Sequence, residues 1–178
     1  MNISENVRLV LLNDDDMERF VRDNQIAFNY GAMKEFGLRY SHFEEEGEII
    51  SRDTILESVR SGTAYRIWTD EKPVGGLVVK TDGTKGELLL LFVSPEEHSK
   101  GIGYAAWCEV ERMYPDVKIW ETCTPYFEKR NIHFYVNRCG FRIVEFFNKY
   151  HRDFRSFGSV VQDENFDDEM FRFEKSME

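Results

Sequence analysis

The residues Glu87-Leu-Leu-Leu-Leu-Phe-Val-Ser-Pro-Glu-Glu-His-Ser-Lys-Gly-Ile-Gly-Tyr104 join an apolar run, ended by a proline, to a short glycine loop that opens a helix. That order suits anion binding. Gly101 and Gly103 have no side chain to hold a ligand off the backbone, so several amide N–H groups at a helix N-terminus can close on a phosphate. Lys100 adds a positive charge at the same end. In an empty helix that charge opposes the dipole at a cost of a few tenths of a kcal/mol. With a bound pyrophosphate it becomes an attraction. A lone G-x-G also fits a plain turn that joins a strand to a helix, and the loop alone leaves both readings open. Cys123 with His133 as a base would make a nucleophile, although small buried thiols are commoner. His42, His98, His133 and His151 show no metal-ligand spacing, so no metal is expected.

The elements around the loop follow from periodicity and punctuation. A helix over 101 to 114 places Ile102, Ala106, Val110 and Met113 on one face. A strand follows from Val117 to Thr122, then a helix from about Phe127 to Cys139 that ends at Gly140, then a strand from Phe141 to Phe147. Upstream, Val7 to Leu12 reads as a strand. Asn13-Asp-Asp-Asp16 supplies an N-cap and an acidic first turn to a helix reaching about Phe36, interrupted or ended by Gly31 and Gly37. A polar segment, Tyr40 to Glu48, precedes a short helix from about Ser51 to Arg60, capped by Ser51 or Asp53. Ala64 to Thr69, Lys72 to Lys80 and Glu87 to Val93 read as an antiparallel meander with turns at Asp70-Glu-Lys and Asp82-Gly-Thr-Lys-Gly86. Residues 149 to 167 are aromatic and polar without a period, and Met170 to Lys175 reads as a last strand beside the 141 to 147 strand.

Composition bounds the function. The chain has 178 residues, the size of one domain, with 15 Phe, 8 Tyr and 3 Trp to fill a core. Its longest apolar run is too short to cross a bilayer, and Met1-Asn-Ile-Ser-Glu-Asn carries no signal-peptide pattern. Cys108, Cys123 and Cys139 are an odd set without C-x-x-C spacing, which argues against disulfides and zinc and for the cytoplasm. A net charge of −10 disfavours nucleic acid and suits a cationic substrate. The acidic run Phe43-Glu-Glu-Glu-Gly-Glu48 would either attract such a cation or serve as a solvated loop.

Two motifs in order resemble the GNAT superfamily of acyl-CoA-dependent N-acetyltransferases. The pyrophosphate loop of that family, R/Q-x-x-G-x-G/A, corresponds to His98-Ser-Lys-Gly101-Ile-Gly103; its helix ending in tyrosine, with Gly-Phe five residues on, corresponds to Tyr135-Val-Asn-Arg-Cys-Gly140-Phe141. Gly103 and Tyr135 lie about 32 residues apart, and the resemblance is strongest over 72 to 148. The chain departs from the pattern at His98, where Arg or Gln is usual. It departs again at Glu128, where the family tends to carry an asparagine; Asn131 stands one turn later. The resemblance implies an α/β (α+β) fold, with a mixed, mostly antiparallel central sheet of about seven strands flanked by about four helices, in a single acetyltransferase domain over 1 to 178.

It also implies a chemistry. The co-substrate would be acetyl-CoA, held by Phe92, Val93, His98, Ser99, Lys100, Gly101, Ile102, Gly103, Tyr104, Asn131 and Tyr135. An amine acceptor must lose a proton before it attacks the thioester, and Glu87 and Glu121 are the candidate bases. On alternation Glu121 shares a strand face with Cys123. A backbone N–H at Phe92 or Val93 would meet the oxyanion, and the Tyr135 hydroxyl would protonate the departing thiolate. The expected protein is a cytoplasmic transferase, monomer or homodimer, acting on a small-molecule or protein amine by direct attack in a ternary complex, without a metal, nucleic acid or membrane. Segments 25 to 62 and 149 to 168 would build the acceptor pocket. A non-catalytic acyl-CoA-binding sensor or protein-interaction module is the rival reading. A nucleotide switch is disfavoured because G-x-x-x-x-G-K-[ST] is missing.

Overall fold

The computed structural model describes residues 6–37, 43–70, 72–153 and 169–178. His42, most of the Tyr40 to Glu48 segment's start, Glu71 and positions 154–168 of the expected acceptor pocket lie outside the described residues. The chain divides into two compact units, Met1–Val117 and Lys118–Glu178.

The first unit holds β1 (Val7–Leu11), α1 (Met17–Phe36), α2 (Arg52–Ser61), β2 (Thr63–Thr69), β3 (Lys72–Asp82), β4 (Lys85–Val93) and α3 (Ile102–Met113). β1 to β4 pair in sequence order, each antiparallel to the next. This is the expected meander, preceded by β1 on the edge of β2. Asn13 caps the acidic turn Asp14–Asp16 by accepting the Asp16 N–H at 3.0 Å, and α1 follows directly. Gly31 does not interrupt α1, because the packing of its neighbours sets the helix against a local propensity cost of about 1 kcal/mol. Gly37 ends it at φ +62°, a conformation that favours glycine, with its N–H donating to Met33 O. Ser51 is the cap of α2; its Oγ accepts the Thr54 N–H at 3.0 Å. Phe20, Val21 and Ala27 of α1 pack with Ile55 of α2 and with Ala64, Val78, Leu90 and Phe92 of the strands. This cluster clamps α1 and α2 over the strands that lead into the glycine loop.

One irregularity lies in β4. Val78 faces Leu90 and Val79 faces Leu88, so Leu89 is an extra residue without an opposite number in β3. Such a bulge re-aims the residues beyond it.

The second unit holds β5 (Ile119–Pro125), α4 (Lys129–His133), β6 (Arg142–Phe147) and β7 (Met170–Ser176). β7 pairs antiparallel with β6, as the sequence predicts, and on its other edge with β5, so it lies between them. The helix expected over 127 to 139 is α-helical for five residues only and then widens into a π turn, Phe134–Arg138. The widening is visible in the bond from Cys139 N–H to Phe134 O, five residues back, at 3.0 Å. Phe141 N–H then closes the end on Tyr135 O, six residues back, at 2.9 Å, around Gly140 at φ +80°. With seven strands, all of whose described pairings are antiparallel, and four α-helices among the described residues, the fold is of the mixed α/β class that the sequence implies.

Candidate active site

In the first unit, β4 ends at Val93 and the chain makes one tight turn, Pro95–Glu97, before the loop. Ser99 (φ +66°) and Gly101 (φ +78°) are both left-handed, with Lys100 between them. A backbone that alternates in this way turns successive N–H groups towards one side. α3 has no side-chain cap, so its first-turn N–H groups at Ile102 and Gly103 have neither a helical acceptor nor a capping oxygen. A Cβ placed on Gly101 would have no atom within 4 Å, so the backbone at that residue is open, and it is the left-handed φ that favours glycine there. Ser99, Lys100 and Gly101 are exposed, Gly103 is half-buried, Tyr104 is 39% exposed, and Ile102 anchors the turn in the core. The local chemistry therefore fits a phosphate group: a positive helix end, open to solvent, with glycine where the backbone must be approached.

The strand end separates Phe92 from Val93. Ser94 N–H donates to Val74 O at 2.8 Å, towards β3. N–H groups alternate in direction along a strand, so Phe92 N–H also faces β3, while Val93 N–H faces the other edge of β4. Val93 is thus the residue whose amide is turned away from the β3 ladder. Its carbonyl, on that same edge, accepts a hydrogen bond from His98 Nε2 at 2.8 Å. The His98 ring also meets the Tyr30 ring edge-on at 5.4 Å. His98 holds the loop to the end of β4, a role that its sequence position alone does not reveal.

Two features of this unit escaped the sequence reading. Glu97 is buried, and its two carboxylate oxygens accept from Lys72 Nζ at 2.6 Å and Lys100 Nζ at 2.7 Å. Lys100 and then Lys72 hold its carboxyl below the usual carboxylate range. Gly75 and Gly76 of β3 lie against the end of β4: a Cβ on Gly75 would overlap the Phe92 carbonyl oxygen, and one on Gly76 would lie 2.8 Å from a Phe92 ring carbon. A Gly-Gly pair inside a strand was the available signal. Glu87 is half-buried near the start of β4, opposite Lys80 of β3. The acidic run serves the fold here. Glu44 accepts the Ser51 N–H at 2.8 Å and Glu45 the Arg52 N–H at 3.3 Å, at the start of α2.

In the second unit, Tyr135 sits in the π turn and is 8% exposed. Its ring packs against Phe134, Phe141 and Phe173 at 5.3, 5.7 and 5.5 Å. Burial pushes its hydroxyl well above the ordinary tyrosine value, and a hydrogen bond with the Thr122 hydroxyl offsets part of the rise. Asn131 Nδ2 donates to Thr124 Oγ1 at 3.2 Å, so α4 and the π turn are both tied to the buried threonine face of β5. Glu121 alternates with those threonines and lies on the other face, with Cys123. Its carboxylate accepts from Arg172 Nη1 at 3.0 Å, and Arg172 also bonds Glu145 and Glu174. Structure and sequence agree that Glu121 and Cys123 share a face; the structure adds that Tyr135 packs on the opposite one. His133 Nδ1 accepts from Asn137 Nδ2 at 3.0 Å. Among the described residues no group of three or more His, Cys, Asp or Glu could hold a metal ion, and no helix is long and apolar enough to cross a membrane.

The likeness to known proteins agrees with this geometry. The chain is 43% identical over 178 residues, 96% of its length and 94% of the relative's, to the uncharacterized protein YrkN of Bacillus subtilis (strain 168). The PaiA N-acetyltransferase of Thermoplasma acidophilum in complex with coenzyme A has a similar fold: TM-score 0.63, 17% identity, 96% of this chain and 98% of that one. So has the spermidine N-acetyltransferase of Vibrio cholerae in complex with CoA and spermine: TM-score 0.59, 14% identity, 97% of this chain and 96% of that one. The model of the acetyltransferase (GNAT) family matches residues 25–141, about two thirds of the sequence, and with it the protein belongs to the GNAT family of acetyltransferases.

Proposed function

We propose that this acetyltransferase transfers an acetyl group from acetyl-CoA to a primary amine, by direct attack of the amine on the thioester. The observation that carries the reading is the loop: an uncapped helix start at Ile102 behind two left-handed residues, open at Gly101. Ser99, Lys100, Gly101, Ile102 and Gly103 are the residues that would hold the pyrophosphate of the co-substrate, through backbone N–H groups. The family match crosses the boundary of the two compact units, which supports one acetyltransferase domain built from both.

Each step then has a named group. A carboxylate takes the ammonium proton: Glu87, or Glu121, which lies on the face of β5 away from Tyr135 and would act through water. The amine lone pair forms the C–N bond, and Val93 N–H meets the oxygen that becomes negative. The C–S bond breaks, and the Tyr135 O–H donates to the departing sulfur. Burial keeps the tyrosine protonated, so its O–H is present to hydrogen-bond the sulfur as charge develops there, while the same rise makes complete transfer of the proton to a free thiolate uphill. The acceptor we favour is a cationic amine, a polyamine-like compound or a protein amine. A net charge of −10 supports it, as does the spermidine N-acetyltransferase among proteins of similar fold. The cysteines are thiols, which suits the cytoplasm.

The test is a panel of amines incubated with acetyl-CoA, with release of free thiol followed against time. Acceptor-dependent release establishes the activity. CoA that raises the melting temperature without any acceptor-dependent release across the panel favours the non-catalytic binding module instead.

A further inference from the structure

Glu97 stands where a carboxylate works against the function proposed for the loop. It lies three residues before Lys100, its side chain is 10% exposed, and both of its oxygens are taken by lysine ammonium groups. Lys100 is the cation of the phosphate loop, and Glu97 has hold of it. Lys72, at the start of β3, is the second cation on the same carboxylate and belongs to a different element. The geometry points to Glu97 as a brake on co-substrate affinity: it competes with the pyrophosphate for Lys100, while Lys72 takes over the carboxylate when Lys100 turns to the ligand.

The inference rests on the reading of the loop as a pyrophosphate site and adds its regulation. A carboxylate near a phosphate costs affinity by like-charge repulsion, and it costs more when it also withholds the nearest cation. Lys72 lowers that cost, since Glu97 keeps a partner after Lys100 has left. A buried carboxylate with no partner would be far more expensive. The advantage of such an arrangement is release. An acetyltransferase must let go of CoA after every turnover, and a competing intramolecular anion shortens the residence of the product. Glu97 is therefore a positioning residue acting through Lys100.

The test is a double-mutant cycle on CoA affinity, measured by titration calorimetry on the whole chain. Glu97→Gln frees Lys100 and should tighten CoA by about three- to tenfold, the size of a partly exposed ion-pair effect near a second charge. In a Lys100→Gln background the same substitution relieves only the direct repulsion and should tighten CoA by clearly less than in the wild type. Steady-state kinetics should show the split that mere structural support would not: a lower KM for acetyl-CoA and stronger product inhibition by CoA. If Glu97→Gln binds CoA as weakly as the wild type, or more weakly, with an intact melting curve, the brake does not exist. Equal tightening in both backgrounds would also overturn it, because the effect would not run through Lys100. Should Glu97→Gln fail to fold, Lys72→Met serves. It leaves Lys100 as the one cation on Glu97 among the described residues and should weaken CoA binding more in the wild-type background than with Lys100→Gln; equal weakening in both overturns the proposal. A wild-type protein that does not bind CoA at all refutes the loop reading itself, and so the two failures are distinguishable.

Discussion

Burial and hydrogen bonding pull the Tyr135 hydroxyl in opposite directions. Desolvation, the larger influence, keeps it protonated, and the Thr122 hydroxyl offsets only part of that. The group suits a hydrogen-bond donor that steadies the charge growing on the sulfur better than a strong acid that hands its proton over early. Tyr135→Phe keeps the ring contacts with Phe134, Phe141 and Phe173 and removes only the O–H. We expect CoA affinity to stay nearly intact, stability to fall by about 1 kcal/mol from the orphaned Thr122 hydroxyl, and kcat to drop roughly ten- to a thousandfold. A donor with a better leaving thiol should shrink the kinetic penalty, which steady-state rates with the two donors would show. Wild-type kcat in the variant, with chemistry rate-limiting, would remove Tyr135 from the mechanism. The base is decided in the same way. Glu121→Gln and Glu87→Gln differ in their surroundings: Glu121 shares Arg172 with Glu145 and Glu174, whereas Glu87 is a half-buried strand residue opposite Lys80. Replacing the true base should cost on the order of a hundredfold in kcat/KM at neutral pH, with the loss shrinking as pH rises and the amine deprotonates unaided. If neither pH–rate profile changes, the proton leaves by another route.

At the scale of elements, the end of β4 depends on what β3 lacks. Gly75 and Gly76 let β3 run directly under Phe92 and Val93, and a methyl group on Gly75 has no space beside the Phe92 carbonyl. Gly75→Ala must therefore move that carbonyl and with it the neighbouring Val93 amide. It should destabilise the fold by about 1–3 kcal/mol, as overpacked sites do, and lower kcat through the displaced donor. Urea denaturation and steady-state rates check both parts; unchanged values would mean that the β3–β4 contact gives way without cost. This glycine pair also shows where sequence reading stops. The strands, α2 with a cap at Ser51 or Asp53 and the loop into α3 were legible because each is encoded by neighbours: alternation, a capping oxygen, glycines after an apolar run; the structure chose Ser51. Glu97 was not, since its meaning depends on Lys72, 25 residues away in the chain. The π turn escaped because no local pattern distinguishes a five-residue bond from a four-residue one; it is seen only with the structure, where Tyr135 lies in it among three phenylalanines. Nor was Arg172, the shared partner of three glutamates, visible before β7 was seen between β5 and β6. Local patterns announced the elements; the long-range partners that tune the site emerged only with the pairing.

For the whole molecule, the ionisable groups set a window of stability with two edges. On the acid side, Glu97 is held low by Lys100 and Lys72, Glu109 by Arg112, and Glu145 by His151 and Arg172, all below the ordinary 4.5. Each of these carboxylates binds its proton less readily when folded than when unfolded. Their contribution is therefore complete above pH 4.5 and is lost as pH falls through the folded values. On the alkaline side the sign reverses. Burial raises Tyr135, and burial with the 2.7 Å hydrogen bond to Tyr114 raises Tyr65, both from an ordinary value of 10.0. The unfolded chain gives up these protons first, so stability is whole below pH 10.0 and declines as pH rises beyond it. Equilibrium urea denaturation from about pH 3 to about pH 11 should trace a plateau with a fall at each end. The double variant Tyr65→Phe, Tyr135→Phe should flatten the alkaline fall and leave the acid one in place, since it removes only groups that titrate above neutrality. An alkaline fall as steep in the double variant as in the wild type would assign that edge to other groups, such as the lysines and the repulsion of a chain already at −10. A stability that stayed flat below pH 4.5 would mean that the ion pairs of Glu97, Glu109 and Glu145 contribute little in solution, as exposed pairs often do. Of the three, Glu97 is the discriminating case, because its carboxylate is the buried one. Glu97→Gln should soften the acid edge in the same protein in which it tightens CoA, so that one substitution separates what the residue does for the fold from what it does for the ligand.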